Sequence, residues 1–366
     1  MRIIFNWALA LWLVGVGTVP PAAADGTRGS APAMASPAAA ERAELVMGTL
    51  ARVAILAGPA TPAAFEAAFG ALREVDATMS LYRPESTLVR VNAAAAGRAI
   101  PVEPALFDLL VRARELSFRT DGAFDPTVLP LLRAWGAYRE LRHLAAGDPA
   151  AVGARGLVLD PVARTVQFRR PGMGIDLGGI AKGFALDRAR RALVARGVAR
   201  ARLDLGGNLA FVGTGPGDAW RVAVRDPAAS DRALGVLALP ADGAVATSAN
   251  YARDFAREGW RAHSHVYDPR TLRPVLAERA VTVWAPDATT ADALATALLV
   301  LGADEADRVL AREPGAGALV ITGGRGAVRT TLHGAPALAW RPAPEPRRAA
   351  ADTVLLHHPP SEGSMR

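Results

Sequence analysis

Cysteine is absent from the sequence. That excludes disulfides, zinc thiolate sites and cysteine nucleophiles, and it leaves no thiol for an acylated lipoprotein anchor. The chemistry of the chain therefore rests on oxygen and nitrogen groups. No short internal repeat is visible, so repeat arrays drop out. Net charge is +7, but most of the cations are arginines scattered through predicted helices rather than gathered into a stripe. This balance reads as compositional bias, and no nucleic-acid partner is expected. What is present is a chain of 366 residues that is 51% hydrophobic. That is enough apolar material for one large or two modest domains with a substantial core.

Arg2 precedes the apolar run "IIFNWALALWLVGVGTV", and Ala22 and Ala24 behind it fit the small-x-small pattern of a signal peptidase site. The expectation is an exported, periplasmic protein with residues 1–24 as signal peptide. An uncleaved N-terminal segment holding the protein at the inner membrane is the alternative, since the run can just span a bilayer. Residues 25–40 are small and Pro-bearing and read as a flexible linker. The folded domain is expected over 41–340, with the Pro- and charge-rich stretch 341–366 as a disordered tail. "AELVMGTLARVAIL" reads as a first strand, "TPAAFEAAFGALREVDATMS" as a helix, and Pro104 to about Arg119 as a second helix. Short strand candidates follow: "ARLDLGGNLAFVGTG", "WRVAVRD", "LGVLALP", "AVATSA", "AVTVWAP", "GALVIT" and "AVRTTL". Long helices beside separate strand runs predict an α+β fold, with mixed sheets flanked by helices.

Several stretches carry candidate chemistry. In "GIDLGGIAKGFALD", Asp176 is expected at a strand end, Gly178 and Gly179 permit close backbone approach, and Lys182 opens an amphipathic helix. A helix N-terminus with free N–H groups is a site for phosphate, although this is neither a G-x-G-x-x-G nor a Walker loop. The alternative is a tight turn with a solvated lysine. In "TTADALATALLVLG", Thr289 or Thr290 can cap a helix. Asp292 and Thr296 lie one turn apart on one face, about 6 Å along the axis. A hard oxygen pair of this kind suits Mg²⁺; a helix-surface carboxylate that favours the dipole is the plainer explanation. In "HSHVYDPRT", His265 sits in strand-like alternation just before Asp268 and Pro269. "DGAFDPTV" and "MSLYRPEST" are turn-rich segments whose side chains can line a pocket.

Taken in order, "VMGT", "MSLYRPEST", "DGAFDPTV", "IDLGGIAKGFALD", "LDLGGN", "ATSANY", "SHVYDPRT" and "DALATALLVLG" resemble the FAD:protein FMN transferase family, over roughly residues 41–335. The resemblance implies a flavin transferase-like fold. It also implies an enzyme that uses Mg²⁺ to transfer FMN from FAD to a Thr or Ser hydroxyl of a partner protein, releasing AMP. It further implies flavin contacts at Met47, Leu81, Tyr82, Ala123, Phe124, Asp125, Asp176, Lys182 and Val275. The metal would be held by Asp292, Thr296 and the carbonyl of Gly179. His265 is the expected general base and Asp268 its rival. Acceptors are expected among exported or membrane electron-transfer subunits. The chain departs from the pattern at Leu272, where the family usually has Gly, and at Ala295, where a second acid is common. An Mg²⁺-dependent FAD pyrophosphatase and a non-catalytic flavin carrier are the competing readings.

Overall fold

The computed structural model describes residues 40–213, 219–226, 229–239, 242–250, 266–323, 328–334 and 339–343. The signal peptide, nearly all of the linker, His265 and most of the tail lie outside the described residues. In chain order the first part comprises β1 (Ala40–Val46), β2 (Thr49–Ala57), α1 (Pro62–Met79), α2 (Thr87–Ala94), β3 (Ile100–Pro101), α3 (Pro104–Arg119) and α4 (Leu129–Ala134). Then come β4 (Leu157–Asp160), β5 (Thr165–Phe168), α5 (Ala181–Val194), β6 (Arg200–Leu205), β7 (Asn208–Val212), β8 (Trp220–Asp226), β9 (Ala229–Leu239) and β10 (Gly243–Asn250). The remainder is β11 (Tyr267–Asp268), β12 (Arg273–Pro274), β13 (Arg279–Ala285), α6 (Ala288–Leu301), α7 (Ala306–Leu310), β14 (Gly317–Thr322), β15 (Arg329–Gly334) and β16 (Ala339–Pro342). The class is α+β, as expected.

Local sequence explains the main elements. Thr61 caps α1 by accepting from Ala64 N, Pro62 opens the helix, and Phe65, Leu72, Val75 and Met79 form its buried stripe. Two expected single strands turn out to be hairpins. The first breaks at Met47 and Gly48, whose φ values of 52° and 71° pair Val46 with Thr49. The second breaks at Gly206 and Gly207, at 61° and 91°, pairing Leu205 with Asn208. Two successive positive φ values make the tight turn whose twist matches the flanking strands.

Eight strands form one antiparallel sheet in the order β1-β2-β6-β7-β10-β13-β14-β15. Its central strands are covered on both faces, so β7 and β13 read as nearly continuous apolar runs where a half-solvated sheet would alternate. Ala210, Ala244, Val281, Val283 and Val320 face the helices. Phe211, Val245, Trp284 and Ile321 point the other way, into a second core completed by Trp220, Val222 and Leu237. Those last three come from a small sheet ordered β16-β9-β8. Phe211 stacks on Trp220 at 4.6 Å between centroids, a geometry worth about 0.5–1.5 kcal/mol beyond area burial. Strand β16 pairs with β9 through Pro342, two residues into the stretch expected to be tail, so the folded unit reaches past 340. On the helical face α5 packs between α1 and α6, and α6 lies across β10 and β13. Among the described residues no helix is long and apolar enough to cross a membrane.

Candidate active site

The turn that enters α5 is fastened on three sides. Asn92 on α2 clamps Ile175, accepting its N–H at 2.7 Å and donating to its carbonyl at 2.9 Å. The Asp176 N–H donates to the Pro126 carbonyl at 2.9 Å. The Asp176 side chain is buried; it accepts from Gly178 N at 2.7 Å and from the Tyr138 hydroxyl at 2.7 Å. Burial pushes this carboxyl above the ordinary range, opposed by the two donors and by the Lys182 charge. Asp176 does not end a strand, contrary to expectation. The nearest pairing is an isolated bridge of Gly174 with Val128, and side-chain anchors hold the turn instead.

The turn runs directly against α6. A Cβ on Gly179 would stand 3.0 Å from Thr296 Oγ1 and 3.5 Å from Phe124, so a larger residue would press on the Thr296 side chain. Four residues on, Gly183 N donates to Asp292 Oδ2 at 3.0 Å. Asp292 is 4% exposed, which corrects the expectation of a helix-surface carboxylate. Thr296 Oγ1 donates to the Asp292 carbonyl at 3.2 Å, one turn back along α6. Gly179 thus lies against Thr296, and Gly183 against Asp292, along one contact between the turn and α6. The cap of α6 also differs from expectation: Asp287, rather than a threonine, occupies the N-cap and accepts from Thr290 N at 2.7 Å. Thr289 and Thr290 instead donate their hydroxyls to Asp187 and Asp287. Ala295 is fully buried in the core and offers no second acid.

The remaining candidates fall into two groups joined by the segment from Gly122 to Tyr138. In one, Tyr82 meets Tyr138 edge to face at 5.7 Å, which links Leu81 and Tyr82 to Asp176 through the Tyr138 hydroxyl. The Tyr82 hydroxyl is pushed up to about 12 by partial burial and by the charges of Glu140 and Asp176. His143 bonds the Leu81 carbonyl at 2.9 Å. Ala123, Phe124 and Asp125 are buried. The Asp125 carboxylate is committed to the protein, accepting from Thr127 N at 2.8 Å, Thr127 Oγ1 at 2.6 Å and Ala154 N at 2.9 Å. In the other group Asp268 is gripped by Arg270, at 2.9 Å from Nε and 2.8 Å from Nη2. Burial alone would raise the Asp268 carboxyl, but the Arg270 and backbone donors outweigh it and hold it low. Leu272 adopts φ 59°, the left-handed conformation that suits the family's usual glycine. Its carbonyl accepts from Trp135 Nε1 at 3.2 Å. Val275 is buried, and its carbonyl accepts from Asn250 at 2.5 Å. Met47 sits in the β1–β2 turn, packed on the main core, and no hydrogen bond or ring contact among the described residues ties it to either group.

Sequence reasoning missed Tyr138, whose role exists only through a contact with Asp176, and Asp187, which bonds the backbone of α6. It also passed over one legible signal. The 42 basic residues are 41 arginines and a single lysine, Lys182. A chain so biased to arginine keeps its compact ammonium at the first turn of α5, beside a buried acid, where a point charge suits a phosphate. Among the described residues no cluster of three His, Cys, Asp or Glu could hold a metal ion. A cation here would depend on one carboxylate, a hydroxyl and a carbonyl, a hard-oxygen set of the kind Mg²⁺ accepts.

The ApbE family model matches residues 47–320. A FAD:protein FMN transferase of Treponema pallidum is 35% identical over 305 residues, covering 76% of this chain and 83% of that protein. One from Salmonella typhimurium is 33% identical over 306 residues, covering 80% and 87%. Among solved structures, the ApbE protein of Thermotoga maritima aligns with a TM-score of 0.68 at 30% identity, covering 80% of this chain and 97% of that one. Flavin Transferase ApbE from Vibrio cholerae gives 0.67 at 27% identity, covering 81% and 97%. The match spans the anchored turn, both core layers and the helix that carries Asp292 and Thr296: the chain belongs to the ApbE family.

Proposed function

We propose that this chain transfers FMN from FAD to a Thr or Ser hydroxyl of an acceptor protein, using Mg²⁺ and releasing AMP. The observation that carries the reading is the contact between the Asp176–Gly183 turn and α6. It sets the turn that carries the only lysine of the chain against α6, with Gly179 beside Thr296 and the Gly183 amide on Asp292. The curated relatives carry the corresponding name.

The residues present fit a hard cation. Asp292 uses Oδ2 for Gly183 and accepts no hydrogen bond at Oδ1 among the described residues. Thr296 spends its proton on the Asp292 carbonyl and keeps its lone pairs. Asp292, Thr296 and the Gly179 carbonyl would hold Mg²⁺, which when bound supplies charge neutralisation for a pyrophosphate. Ala181 N is taken by the Leu177 carbonyl and Gly183 N by Asp292, so Lys182 would bind phosphate oxygens through its ammonium and its own amide. Asp176, kept in place by Tyr138 and Gly178, would accept from the flavin nucleotide. Tyr82 would lay its ring against it.

In the transfer, the acceptor oxygen attacks the phosphorus of the FMN half. A new P–O bond forms, the P–O bond to the AMP phosphate breaks, and AMP leaves with that electron pair. The hydroxyl proton passes to a base. His265 is the group we assign to that role, because Asp268 is held low by Arg270 and is a weak proton acceptor. With the N-terminal export signal read from the sequence, the acceptor would be an electron-transfer subunit exported to the same compartment.

Incubating the protein with FAD, Mg²⁺ and a candidate acceptor domain tests the reading through the intact mass of the acceptor and an assay for AMP. Transfer gives one FMN adduct per AMP. AMP without adduct means FAD hydrolysis, and neither product means a flavin carrier; both overturn the proposal.

A further inference from the structure

We propose that Asp187 is a positioning residue for the cation site, locking α6 to α5 so that Asp292 and Thr296 are held at the Gly179 carbonyl. The inference rests on the Mg²⁺ reading above and goes beyond it by naming what sets the ligands.

Asp187 stands one turn after Gly183 on α5 and is 5% exposed. Its Oδ1 accepts from Ala288 N at 2.9 Å. Its Oδ2 accepts from Thr289 N at 2.9 Å and from Thr289 Oγ1 at 2.6 Å. Arg190 lies 3.5 Å from Oδ1. Those amides are the first two of α6, which a helix cannot satisfy from within. Yet α6 has its own cap, Asp287, which serves the third amide. What Asp187 adds is attachment to another helix, about a hundred residues away in the chain.

The attachment is reciprocal. At the start of α5 the N-cap position, Ile180, provides no side-chain acceptor, and the Gly183 amide is met by Asp292 of α6. Each helix therefore has first-turn amides met by an acid of the other: Gly183 N by Asp292, and Ala288 N and Thr289 N by Asp187. The early residue of α5 bonds the later residue of α6, and the later bonds the earlier. The helices pass in opposite directions, and the two contacts are one turn apart. Two contacts at this separation oppose both sliding and rotation. A metal ligand's orientation is set by such second partners, whose loss costs 10–100-fold in affinity. Here the partner of Asp292 is an amide of α5, and Asp187 keeps that amide in register.

Mn²⁺ is the probe, titrated into the full chain with saturating FAD and no acceptor, with free Mn²⁺ read by electron paramagnetic resonance. Asp187→Asn opposes an amide NH₂ to one backbone N–H and should weaken Mn²⁺ binding about 10- to 100-fold, while FAD affinity without metal stays within about twofold. Asp287→Asn removes the same charge from the same helix end but keeps a cap oxygen, and should bind Mn²⁺ like the parent. Thr289→Val deletes only the 2.6 Å bond and should fall between the two; it decides the matter if Asp187→Asn does not fold. Parental Mn²⁺ affinity in Asp187→Asn with a lowered melting temperature makes Asp187 a helix cap only and overturns the proposal. Equal weakening in Asp287→Asn makes the effect one of charge and overturns it too. If the parent binds Mn²⁺ no better than Asp292→Asn, the cation site itself fails, and the proposal with it.

Discussion

A methyl group on Gly183 would stand 2.0 Å from the carbonyl oxygen of Ala288 and 2.9 Å from Asp292 Cβ, so α5 and α6 touch backbone to backbone. No rotamer relieves that contact, because the obstacle is main chain. Gly183→Ala should push the helices apart, costing about 1–3 kcal/mol as overpacking does and removing FMN transfer. Denaturant unfolding and the acceptor mass assay check both. A variant of parental stability and activity would show that the helices separate freely.

Burial of Asp292 changes how its role is tested. Asp292→Ala leaves the Gly183 amide without a partner, a cost of about 1–3 kcal/mol that confuses stability with catalysis. Asp292→Asn keeps an oxygen for Gly183 and removes the negative charge. It should retain most of the stability and lose metal-dependent transfer. Thr296→Ala should do less damage, since a neutral hydroxyl attracts a cation less than a carboxylate does. Full transfer by Asp292→Asn at limiting Mg²⁺ would remove Asp292 from the metal site.

Lys182 offers a chemical footprint, because no other side chain of the protein carries a primary amine. An amine-acylating reagent should modify Lys182 and the chain's N-terminus alone, and FAD should protect Lys182 about tenfold or more if an ordinary two-state occupancy applies. Peptide mass mapping measures it. Lys182→Arg should bind FAD more weakly despite equal charge, because the planar fork is not a compact ammonium. Equal labelling with and without FAD would place the lysine outside the nucleotide site.

The pH dependence of transfer separates the two candidate bases. A depressed carboxyl pKa in the fold contributes stability that is present above the ordinary value, about 3.9, and is lost only as pH falls through the folded value. Asp268, held low by Arg270, is therefore ionised throughout pH 5–8 and cannot produce a limb there. Asp268→Asn should keep the rise in rate through roughly pH 6–7 expected of an imidazole. His265→Gln should abolish that rise and slow transfer about 10²–10⁴-fold. Loss of the limb in Asp268→Asn alone would reverse the assignment.

Leu272 bears a left-handed φ of 59°, which costs a non-glycine residue about 1–2 kcal/mol. Leu272→Gly relieves that strain and gives up some packing and unfolded-state rigidity, so stability should stay within about 1 kcal/mol. Leu272→Ile, branched next to the strained backbone, should be worse. Parallel urea titrations rank the three proteins. An isoleucine variant as stable as the parent would show that the turn relaxes.

The site was legible where chemistry is carried by residue type and local spacing, and illegible where it depends on contacts across the fold. The one-turn separation of Asp292 and Thr296 is visible in the sequence, but their metal role and that of the Gly179 carbonyl came from the family resemblance. Asp187 looked like any polar residue of an amphipathic helix, since its partners are backbone amides about a hundred positions away. The cap of α6 was misassigned because Thr289 and Thr290 are good caps in isolation, yet here both hydroxyls donate to acids already in place. The Met47–Gly48 turn was hidden because a methionine at positive φ breaks the usual Asn-Gly signature. The covering of β7 and β13 on both faces shows in their nearly continuous apolar runs, although such runs alone do not tell a second sheet from more helices.

The order of strands across the large sheet carries a consequence for assembly of the chain. Strand β2 pairs with β6, whose residues lie about 150 positions later, and all of α1 to α5 is made in between. The sheet cannot zip from one end in the order of synthesis, so its closure is paid for in loop entropy before the pairings return it, and folding should be slow. Gly183 and Asp292, which bond across α5 and α6, are emitted about 110 residues apart. A nascent chain that has released Lys182 still lacks α6 and every strand of the large sheet from β6 to β15, and with them Asp292 and Thr296. The contact between α5 and α6 and the closure of the large sheet therefore both wait for the last third of the chain.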